Sequence, residues 1–559
     1  MSSPSSSESG STASRSEKTT HKYTTQIETP TEKHIYELAE KGLKLQLDKK
    51  FLINYVSEEG ITCEEVLTQS SQLAKSMKKL GLAKGDVVAF NMEGNLKYPI
   101  IMLAVLRNGG IIHLMNVSKV KDCLLHEVRE TKPKFLFYTE SSSALIQELK
   151  KEAPTIQATY NISDAGQFQE LLQMGAEDHG ASPLLGSEED IAFITYTSGT
   201  TGGAKGVLLS HRCIIHCAHA FNHVDWLDRK QTDVALTWVP FQHLSGQGLL
   251  MGAMSTGSTL IFTAVVSGDI VSFLKLIEKY KVTIFPLTPY FAKIVLSHPK
   301  FRDFNLSSIR TLVIGAAPVS VPLIEKLTSS FPQARIIQGY GQTEAPVCSH
   351  GTPRNSMKPG SCGIVMPFYE SKVVNESGEL AEPGERGIIH VRGPQVMKGY
   401  LGDPKKTAEV LDKDGWLNSG DVAYYDTDGY YYIVDREKEM IKFRSFPMSP
   451  FLIERTLMEH PAVKDAAVVG KKAEIDGEIP VAFVQKVPGH NVEEEELLNF
   501  VKTKLEGKIE ISGGIRFVDS IPKTPLGKTK RAEVKQMIRE EEEKEQEAKL
   551  SNPTEKKGK

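Results

Sequence analysis

The chain has 559 residues, enough for three or four domain-sized units of about 150 residues each. Its hydrophobic content of 40% and charged content of 25% are ordinary for a globular protein, and its net charge of -3 gives no reason to expect nucleic acid as a partner. The six cysteines include no Cys-x-x-Cys spacing, which argues against a disulfide framework and favours a reducing compartment.

The two ends of the chain are predicted to be tails, and no membrane-spanning segment is expected. Residues 1–22 are rich in Ser and Thr and contain no apolar run, which excludes a secretory signal and favours disorder. Residues 538–559 form a charged tail to which we assign no chemistry. The apolar stretch 99–115 is interrupted by Arg107 and Asn108, so it predicts a buried helix. The last three residues differ from the peroxisomal Ser-Lys-Leu signal, and we predict a cytoplasmic protein.

Helical and strand patterns alternate along the first part of the chain. A helical spacing of apolar residues begins at Thr62 and ends near Gly81. The apolar runs 86–90 and 134–138 predict strands, and residues 102–106 belong to another helix. Strands that alternate with helices predict layers of parallel α/β structure.

The most distinctive stretch is 195–206, in which Ser, Thr and Gly residues surround Lys205. Glycines allow tight turns and close backbone approach to a ligand, and free amides in such a turn form an anion site. The stretch is not a Walker A loop, because Ala204 and Gly206 stand where that pattern needs Gly and a hydroxyl residue. Apolar runs on both sides predict that the loop joins two strands, and Ser210 is positioned to cap a following helix. A flexible linker of the same composition is the alternative.

This loop resembles the phosphate loop of the adenylate-forming superfamily, which includes acyl-CoA synthetases, 4-coumarate:CoA ligases, beetle luciferases and the adenylation domains of peptide synthetases. Further motifs follow in the family's order, which makes the resemblance specific. It implies an enzyme that joins ATP and a small carboxylic acid into an acyl-adenylate, releases pyrophosphate and passes the acyl group to coenzyme A. It also implies Mg2+ as a cofactor, and a large N-terminal layered α/β domain followed by a small mobile α+β domain.

The resemblance assigns roles to several residues of the large domain. His243 would line the acyl pocket, although a satisfied histidine at a turn is the alternative. Ala316, in a Gly-Ala-Ala-Pro stretch, would form part of the adenine wall. In the Gln-Gly-Tyr-Gly-Gln-Thr-Glu segment, Tyr340 would offer a face to the purine, Thr343 would donate to the α-phosphate and Glu344 would hold Mg2+.

Later motifs complete the family pattern. The segment 391–400 resembles the family's Arg-Gly-Pro to Gly-Tyr segment and is expected to be architectural. Asp421 would accept hydrogen bonds from the ribose hydroxyls. Arg436 would bind ribose or phosphate, and Lys438 would mark the hinge between the domains. The residues expected to bind the nucleotide are Thr197, Ser198, Gly199, Thr200, Thr201, Gly202, Lys205, Ala316, Gln338, Gly339, Tyr340, Thr343, Asp421, Arg436, Lys438 and Lys528.

Two lysines beyond the hinge are expected to act in different half-reactions. Lys528, in a Pro-Lys-x-x-x-Gly-Lys loop, would bridge the substrate carboxylate and the α-phosphate when the small domain closes. Lys442 lies among groups that would enter the site only in the second half-reaction. The expected domains are residues 23–436, which bind AMP, and residues 437–537, which form the lid.

One departure from the family pattern concerns the acyl acceptor. Where the family usually has Gly three residues after the lysine at position 442, this chain has Ser445. If that backbone needs a positive φ, a serine there costs about 1–2 kcal/mol, and its side chain would narrow the path of the CoA thiol. An adenylating enzyme with another acceptor, such as an amine, a sugar hydroxyl or oxygen, is therefore the main alternative. A non-catalytic binder of acyl groups or nucleotides is a third hypothesis, and the acid itself, aryl or fatty, stays open.

Overall fold

The computed structural model describes residues 19–23, 27–117, 119–197, 204–263, 269–317, 319–354, 356–443, 446–473, 477–505, 509–524 and 527–551. The strands are β1 His21–Lys22, β2 Lys50–Asn54, β3 Gly60–Thr62, β4 Val87–Asn91, β5 Ile111–Leu114, β6 Phe135–Tyr138, β7 Ala158–Asn161, β8 Ile191–Thr197, β9 Lys205–Ser210, β10 Val234–Thr237, β11 Thr259–Phe262, β12 Ile284–Leu287, β13 Thr311–Gly315, β14 Arg335–Gln342, β15 Ala345–Gly351, β16 Ile364–Val365, β17 Glu370–Val374, β18 Gly387–Arg392, β19 Gly399–Tyr400, β20 Leu417–Tyr425, β21 Tyr431–Arg436, β22 Ile441–Phe443, β23 Phe446–Met448, β24 Val463–Ala473, β25 Gly477–Lys486 and β26 Ile515–Phe517. The helices are α1 Ile35–Leu43, α2 Cys63–Lys79, α3 Tyr98–Arg107, α4 Lys121–Thr131, α5 Ser143–Glu152, α6 Ala165–Ala176, α7 His211–Asn222, α8 Leu244–Thr256, α9 Ile270–Tyr280, α10 Pro289–Ser297, α11 Val321–Ser330, α12 Pro404–Val410, α13 Pro450–Leu457, α14 Glu494–Lys504 and α15 Arg531–Ser551.

Two large sheets and their helices form most of the large domain, which confirms the predicted α/β architecture. One sheet has the strand order β19-β9-β8-β5-β4-β6-β7, and the other has the order β16-β15-β14-β13-β12-β10-β11-β2-β3. Their inner strands are parallel, and the predicted strands near residues 86 and 134 are β4 and β6. Helix α3 is buried at every residue because it packs with α1 and α2 inside the main core. Within the described ranges, every helix is too short or too polar to cross a membrane.

Helix α2 begins and ends where the sequence predicts. Thr62 accepts a hydrogen bond from the N–H of Glu65 at 3.2 Å, and the Glu65 carboxylate accepts one from the N–H of Thr62 at 2.8 Å. This reciprocal pair satisfies two amides that the first turn leaves free. Gly81, with a φ of 92°, follows the last turn in a conformation that favours glycine.

Two buried imidazoles cap the start of helix α1. Nδ1 of His34 accepts from the N–H of Tyr36 at 3.0 Å, and its Nε2 donates to the carbonyl of Leu106 at 3.1 Å. Nδ1 of His211 accepts from the N–H of Ile35 at 3.2 Å. An accepting nitrogen requires a neutral ring. Burial lowers the pKa of His34 to about 4 and also lowers the pKa of His211, so both rings stay uncharged near neutral pH.

A five-stranded antiparallel sheet, in the order β1-β17-β18-β20-β21, leads to the hinge. Its edge strand β1 comes from the stretch 1–22, which was predicted to be a disordered tail. Nδ1 of His21 lies 2.8 Å from the hydroxyl of Tyr431, and the His21 ring packs edge-on against that tyrosine. The tail prediction is therefore wrong for His21 and Lys22, because this pairing and packing order them; residues 1–18 lie outside the described residues.

The small domain has its own sheet and core. Its strand order is β23-β22-β25-β24, with β26 beside β25, and helices α13, α14 and α15 pack against it. Helix α15 runs past residue 538, where a charged tail was predicted to begin. Val534 and Ile538, four residues apart, are buried with Phe483 of the sheet. Ile538, the first residue of the predicted tail, is therefore anchored to the domain, and the helix carries the charged residues beyond it.

Candidate active site

The predicted phosphate loop connects two antiparallel strands, β8 and β9. Thr197 at the end of β8 lies opposite Lys205 at the start of β9, which confirms the predicted strand–loop–strand arrangement. Ser210 accepts from the N–H of Cys213 at 3.2 Å and caps α7, as predicted. Residues 198–203 of the loop lie outside the described residues, and among them are the predicted phosphate contacts Ser198, Gly199, Thr200, Thr201 and Gly202.

Strand β19 connects this hairpin to the second sequence motif. Tyr400 pairs with Val207 of β9, and the ammonium of Lys205 lies 4.7 Å from the centre of the Tyr400 ring. The Tyr400 hydroxyl donates to Oε1 of Glu344 at 2.9 Å. The carbonyl of Glu344 accepts from the N–H of Met397 at 2.9 Å. Tyr400 thus contacts both the cation expected to hold phosphate and the carboxylate expected to hold the metal.

Thr343 and Glu344 form the two-residue connection between β14 and β15. Gln342 pairs with Ala345, which places the two connecting residues at the tip of a tight hairpin. Gln338 lies earlier in β14 and is half-buried. Thr343 and Glu344 are therefore adjacent at this tip, and their roles toward the phosphate and the metal stay predictions.

Close backbone packing explains the glycines of this motif. A Cβ on Gly339 would lie 2.5 Å from Sγ of Cys348, and one on Gly341 would lie 2.6 Å from a carbonyl oxygen of β15. The glycines thus allow β14 and β15 to pack closely, in addition to the close approach of a ligand that the sequence predicted. On the other side, a Cβ on Gly315 would lie 2.8 Å from the carbonyl of Gly339. Ala316 follows with a φ of 68°, a strained conformation that costs about 1–2 kcal/mol and is typical of binding sites.

Asp421 is a buried carboxylate with a partner on each oxygen. The Tyr340 hydroxyl donates to Oδ2 at 2.5 Å, and Nε of Arg436 lies 3.1 Å from Oδ1. Burial raises the pKa of Asp421, and the charge of Arg436 and the hydrogen bond from Tyr340 offset this only in part. Tyr340, Asp421 and Arg436, which were predicted to contact the purine, the ribose and the ribose or phosphate, are therefore directly linked to one another.

The small domain presents Lys528 to the same cleft. The Thr524 hydroxyl accepts from the N–H of Lys528 at 3.1 Å, and the Lys528 carbonyl accepts from the N–H of Thr524 at 2.8 Å, which closes a tight loop. Reduced hydration in the cleft and the charge of Lys528 lower the pKa of His243, although His243 keeps solvent access. Reduced hydration and the nearby Arg436 lower the pKa of Lys528, which Asp421 opposes. The charge of Lys528 is thus near enough to His243 and to the Asp421–Arg436 pair to influence their protonation.

Contacts at Tyr290 and at Asp435 help to seat the small domain on the large one. A Cβ on Gly527 would lie 2.7 Å from Cβ of Tyr290 in α10, so the lysine loop rests on this tyrosine. At the hinge, Oδ2 of the buried Asp435 accepts from the Ser449 hydroxyl at 2.7 Å and from the N–H of Phe451 at 3.1 Å. Because Ser449 caps α13, the start of a small-domain helix is fastened to a large-domain carboxylate.

The remaining predicted residues lie around the hinge. Lys438 is exposed on the short 3-10 turn Glu437–Glu439, a position that suits a pivot better than a nucleotide contact. Lys442 lies in β22, and its side chain is outside what the structure describes. Ser445 lies outside the described residues, so its effect on the acyl acceptor stays a prediction.

Three residues at the site were missed from the sequence. Tyr400 is the last residue of a motif expected to be architectural, and that motif was the available signal. Tyr290 has no sequence signal. Arg531 donates to both oxygens of Glu454, at 2.6 and 3.0 Å, and to Glu439 at 2.7 Å, so it ties the start of α15 to the hinge turn.

Two protein-family models match this chain. The family model described as AMP-binding enzyme matches residues 40–401, and the one described as AMP-binding enzyme C-terminal domain matches residues 452–528. The chain belongs to the AMP-binding enzyme family.

Relatives and solved structures agree with this assignment. The AMP-binding enzyme is 33% identical to "Probable 4-coumarate--CoA ligase 1" of Dictyostelium discoideum, across 90% of this chain and 95% of that protein. It is 30% identical to "Luciferin 4-monooxygenase" of Photuris pensylvanica, across 87% of this chain and 91% of that protein. The solved structure of amide bond synthetase McbA from Marinactinospora thermotolerans covers 90% of this chain and 99% of its own, with a TM-score of 0.81 at 24% identity. The predicted membership of the adenylate-forming superfamily is confirmed.

Proposed function

We propose that this adenylate-forming enzyme activates a small carboxylic acid with ATP and transfers the acyl group to coenzyme A. The observation that carries the first step is the position of Lys528, a small-domain residue that lies within electrostatic range of His243 and of the Asp421–Arg436 pair. A cation delivered by a separate domain suits a reaction in which two anions are joined.

In the first step a carboxylate oxygen attacks the α-phosphorus of ATP. A new oxygen–phosphorus bond forms, and the bond to pyrophosphate breaks. Two unit charges about 4 Å apart repel by about 4 kcal/mol at an effective dielectric constant near 20. The ammonium of Lys528 between the two anions offsets this repulsion as the bond forms.

The large domain would orient the two substrates. The ribose hydroxyls can donate to Asp421, whose two oxygens also contact Tyr340 and Arg436. The lowered pKa of His243 keeps its imidazole neutral at pH 7. A neutral ring can line the acyl pocket without competing with Lys528 for the substrate carboxylate.

The residues around Glu344 fit Mg2+. Glu344 offers a carboxylate, one oxygen of which is already oriented by Tyr400. A single carboxylate suits Mg2+, which takes one or two carboxylates and completes its shell with substrate phosphates and water. When bound, Mg2+ would neutralise charge on the pyrophosphate that leaves.

In the second step the sulfur of coenzyme A attacks the acyl carbon of the adenylate. The carbon–sulfur bond forms, AMP leaves, and the thiol proton passes to solvent. The 33% identity to a protein named as a probable 4-coumarate–CoA ligase supports this acceptor. The acid would be an aryl or a fatty acid.

A second candidate function keeps adenylate formation but uses another acceptor. Ser445 favours it, because a side chain at that position would narrow the path of the thiol. Relatives named for luciferin oxidation and for amide bond synthesis support the same alternative.

Acid-dependent pyrophosphate exchange over a panel of aryl and fatty acids tests the proposal. We expect exchange with one class of acid, and detection by mass of a thioester only when coenzyme A is present. Exchange without a thioester would contradict coenzyme A as the acceptor, and increased thioester formation by Ser445→Gly would then identify the cause. No exchange with any acid would favour a non-catalytic binder.

A further inference from the structure

The segment expected to be architectural contains one residue that reaches the site. Tyr400 is 7% exposed, and its hydroxyl donates to Oε1 of Glu344 at 2.9 Å. Its N–H donates to Oγ1 of Thr407 at 2.9 Å, and its backbone pairs with β9. These contacts fix the main chain of Tyr400, from which the phenol extends to Glu344.

The same short segment makes a second hydrogen bond to Glu344 and also lies close to Lys205. The N–H of Met397 donates to the carbonyl of Glu344 at 2.9 Å, so both the main chain and the side chain of Glu344 are held. The Lys205 ammonium lies 4.7 Å from the centre of the Tyr400 ring, a distance typical of a cation–π contact. One tyrosine thus contacts a carboxylate with its hydroxyl and a cation with its ring.

We propose that Tyr400 is a positioning residue for the metal carboxylate, an inference that rests on the proposed function. Its hydroxyl binds one oxygen of Glu344 and leaves the second oxygen for the divalent cation. Its ring keeps Lys205 beside the phosphates that share this cation. Hydrogen-bond partners of metal ligands fix the ligand's orientation, and their loss typically weakens metal binding by about 10- to 100-fold.

The test compares Tyr400→Phe with Tyr425→Phe. The first keeps the ring beside Lys205 and removes only the hydroxyl bound to Glu344. The second is a matched control, because Tyr425 is 1% exposed and its hydroxyl donates to the carbonyl of Ala381 at 2.8 Å. Mn2+ serves as the metal probe, with a non-hydrolysable ATP analogue present and free Mn2+ measured by electron paramagnetic resonance.

We expect Tyr400→Phe to weaken Mn2+ binding by about tenfold, and Tyr425→Phe to leave it at the wild-type value. In the Glu344→Gln background, Tyr400→Phe should have little further effect, because the two residues act through one ligand. Equal Mn2+ binding by wild type and Tyr400→Phe would overturn the role of Tyr400, as would an undiminished effect in the Glu344→Gln background. A wild-type protein that takes up no Mn2+ with the analogue would instead contradict the proposed function itself.

Discussion

Replacing Gly527 with alanine tests how the small domain places its lysine. The added Cβ would lie 2.7 Å from Cβ of Tyr290, so the lysine loop must move by about 0.7 Å to reach an ordinary contact of 3.4 Å. A displacement of about 1 Å at a reacting group can cost about 100-fold in rate. We therefore expect Gly527→Ala to slow acid-dependent pyrophosphate exchange by about 10- to 100-fold.

Gly489 provides a matched control within the small domain. Its φ is 80° against 82° for Gly527, but nothing lies within 4 Å of its added Cβ. Alanine at either position costs about 1–2 kcal/mol of backbone strain, so both variants should lose similar thermal stability. Only Gly527→Ala should lose exchange, and Tyr290→Gly in that background, which removes the Cβ that the new alanine meets, should restore most of it. Equal exchange rates for the two glycine variants would refute docking of the lysine loop on Tyr290.

Two further changes address the hinge and the core. Asp435→Ala removes the carboxylate that accepts hydrogen bonds from Ser449 and Phe451. We expect this to destabilise the seating of the small domain on the large one by about 1–1.5 kcal/mol, which corresponds to about tenfold slower pyrophosphate exchange. Thioester formation from added acyl-adenylate should continue. Single-turnover rates of the two half-reactions check this, and equal slowing of both would contradict it. The pKa of His34 is about 4 in the folded protein against an ordinary 6.5. The neutral His34 ring therefore stabilises the folded state fully above pH 6.5. This contribution to the free energy of unfolding, up to about 3 kcal/mol, is lost as the pH falls towards 4. Urea unfolding at several pH values should show this loss in the wild type and a smaller one in His34→Asn; identical losses would be contrary to a neutral His34 cap.

The features predicted correctly from the sequence depend on neighbouring residues. The helix that follows Thr62 was predicted from the helical spacing of its apolar residues, and the strands around the phosphate loop were predicted from short apolar runs. Each of these predictions needed only about 20 consecutive residues, within which local propensity is informative.

The features that were missed depend on residues far apart in the chain. Tyr400 meets Glu344 across 56 positions, and Gly527 meets Tyr290 only because one domain is seated on another. No local pattern records such contacts. The N-terminal tail was misjudged for a similar reason, because His21 is ordered by a tyrosine 410 positions away.

The central claim is that Lys528 supplies the positive charge for adenylate formation. The most direct measurement is acid-dependent pyrophosphate exchange by Lys528→Ala beside Lys530→Ala, since Lys530 is an exposed lysine of the same region that pairs with Glu533 at 2.7 Å. We predict that Lys528→Ala loses exchange by about 100- to 1000-fold while Lys530→Ala keeps the wild-type rate. Wild-type exchange by Lys528→Ala would contradict the account.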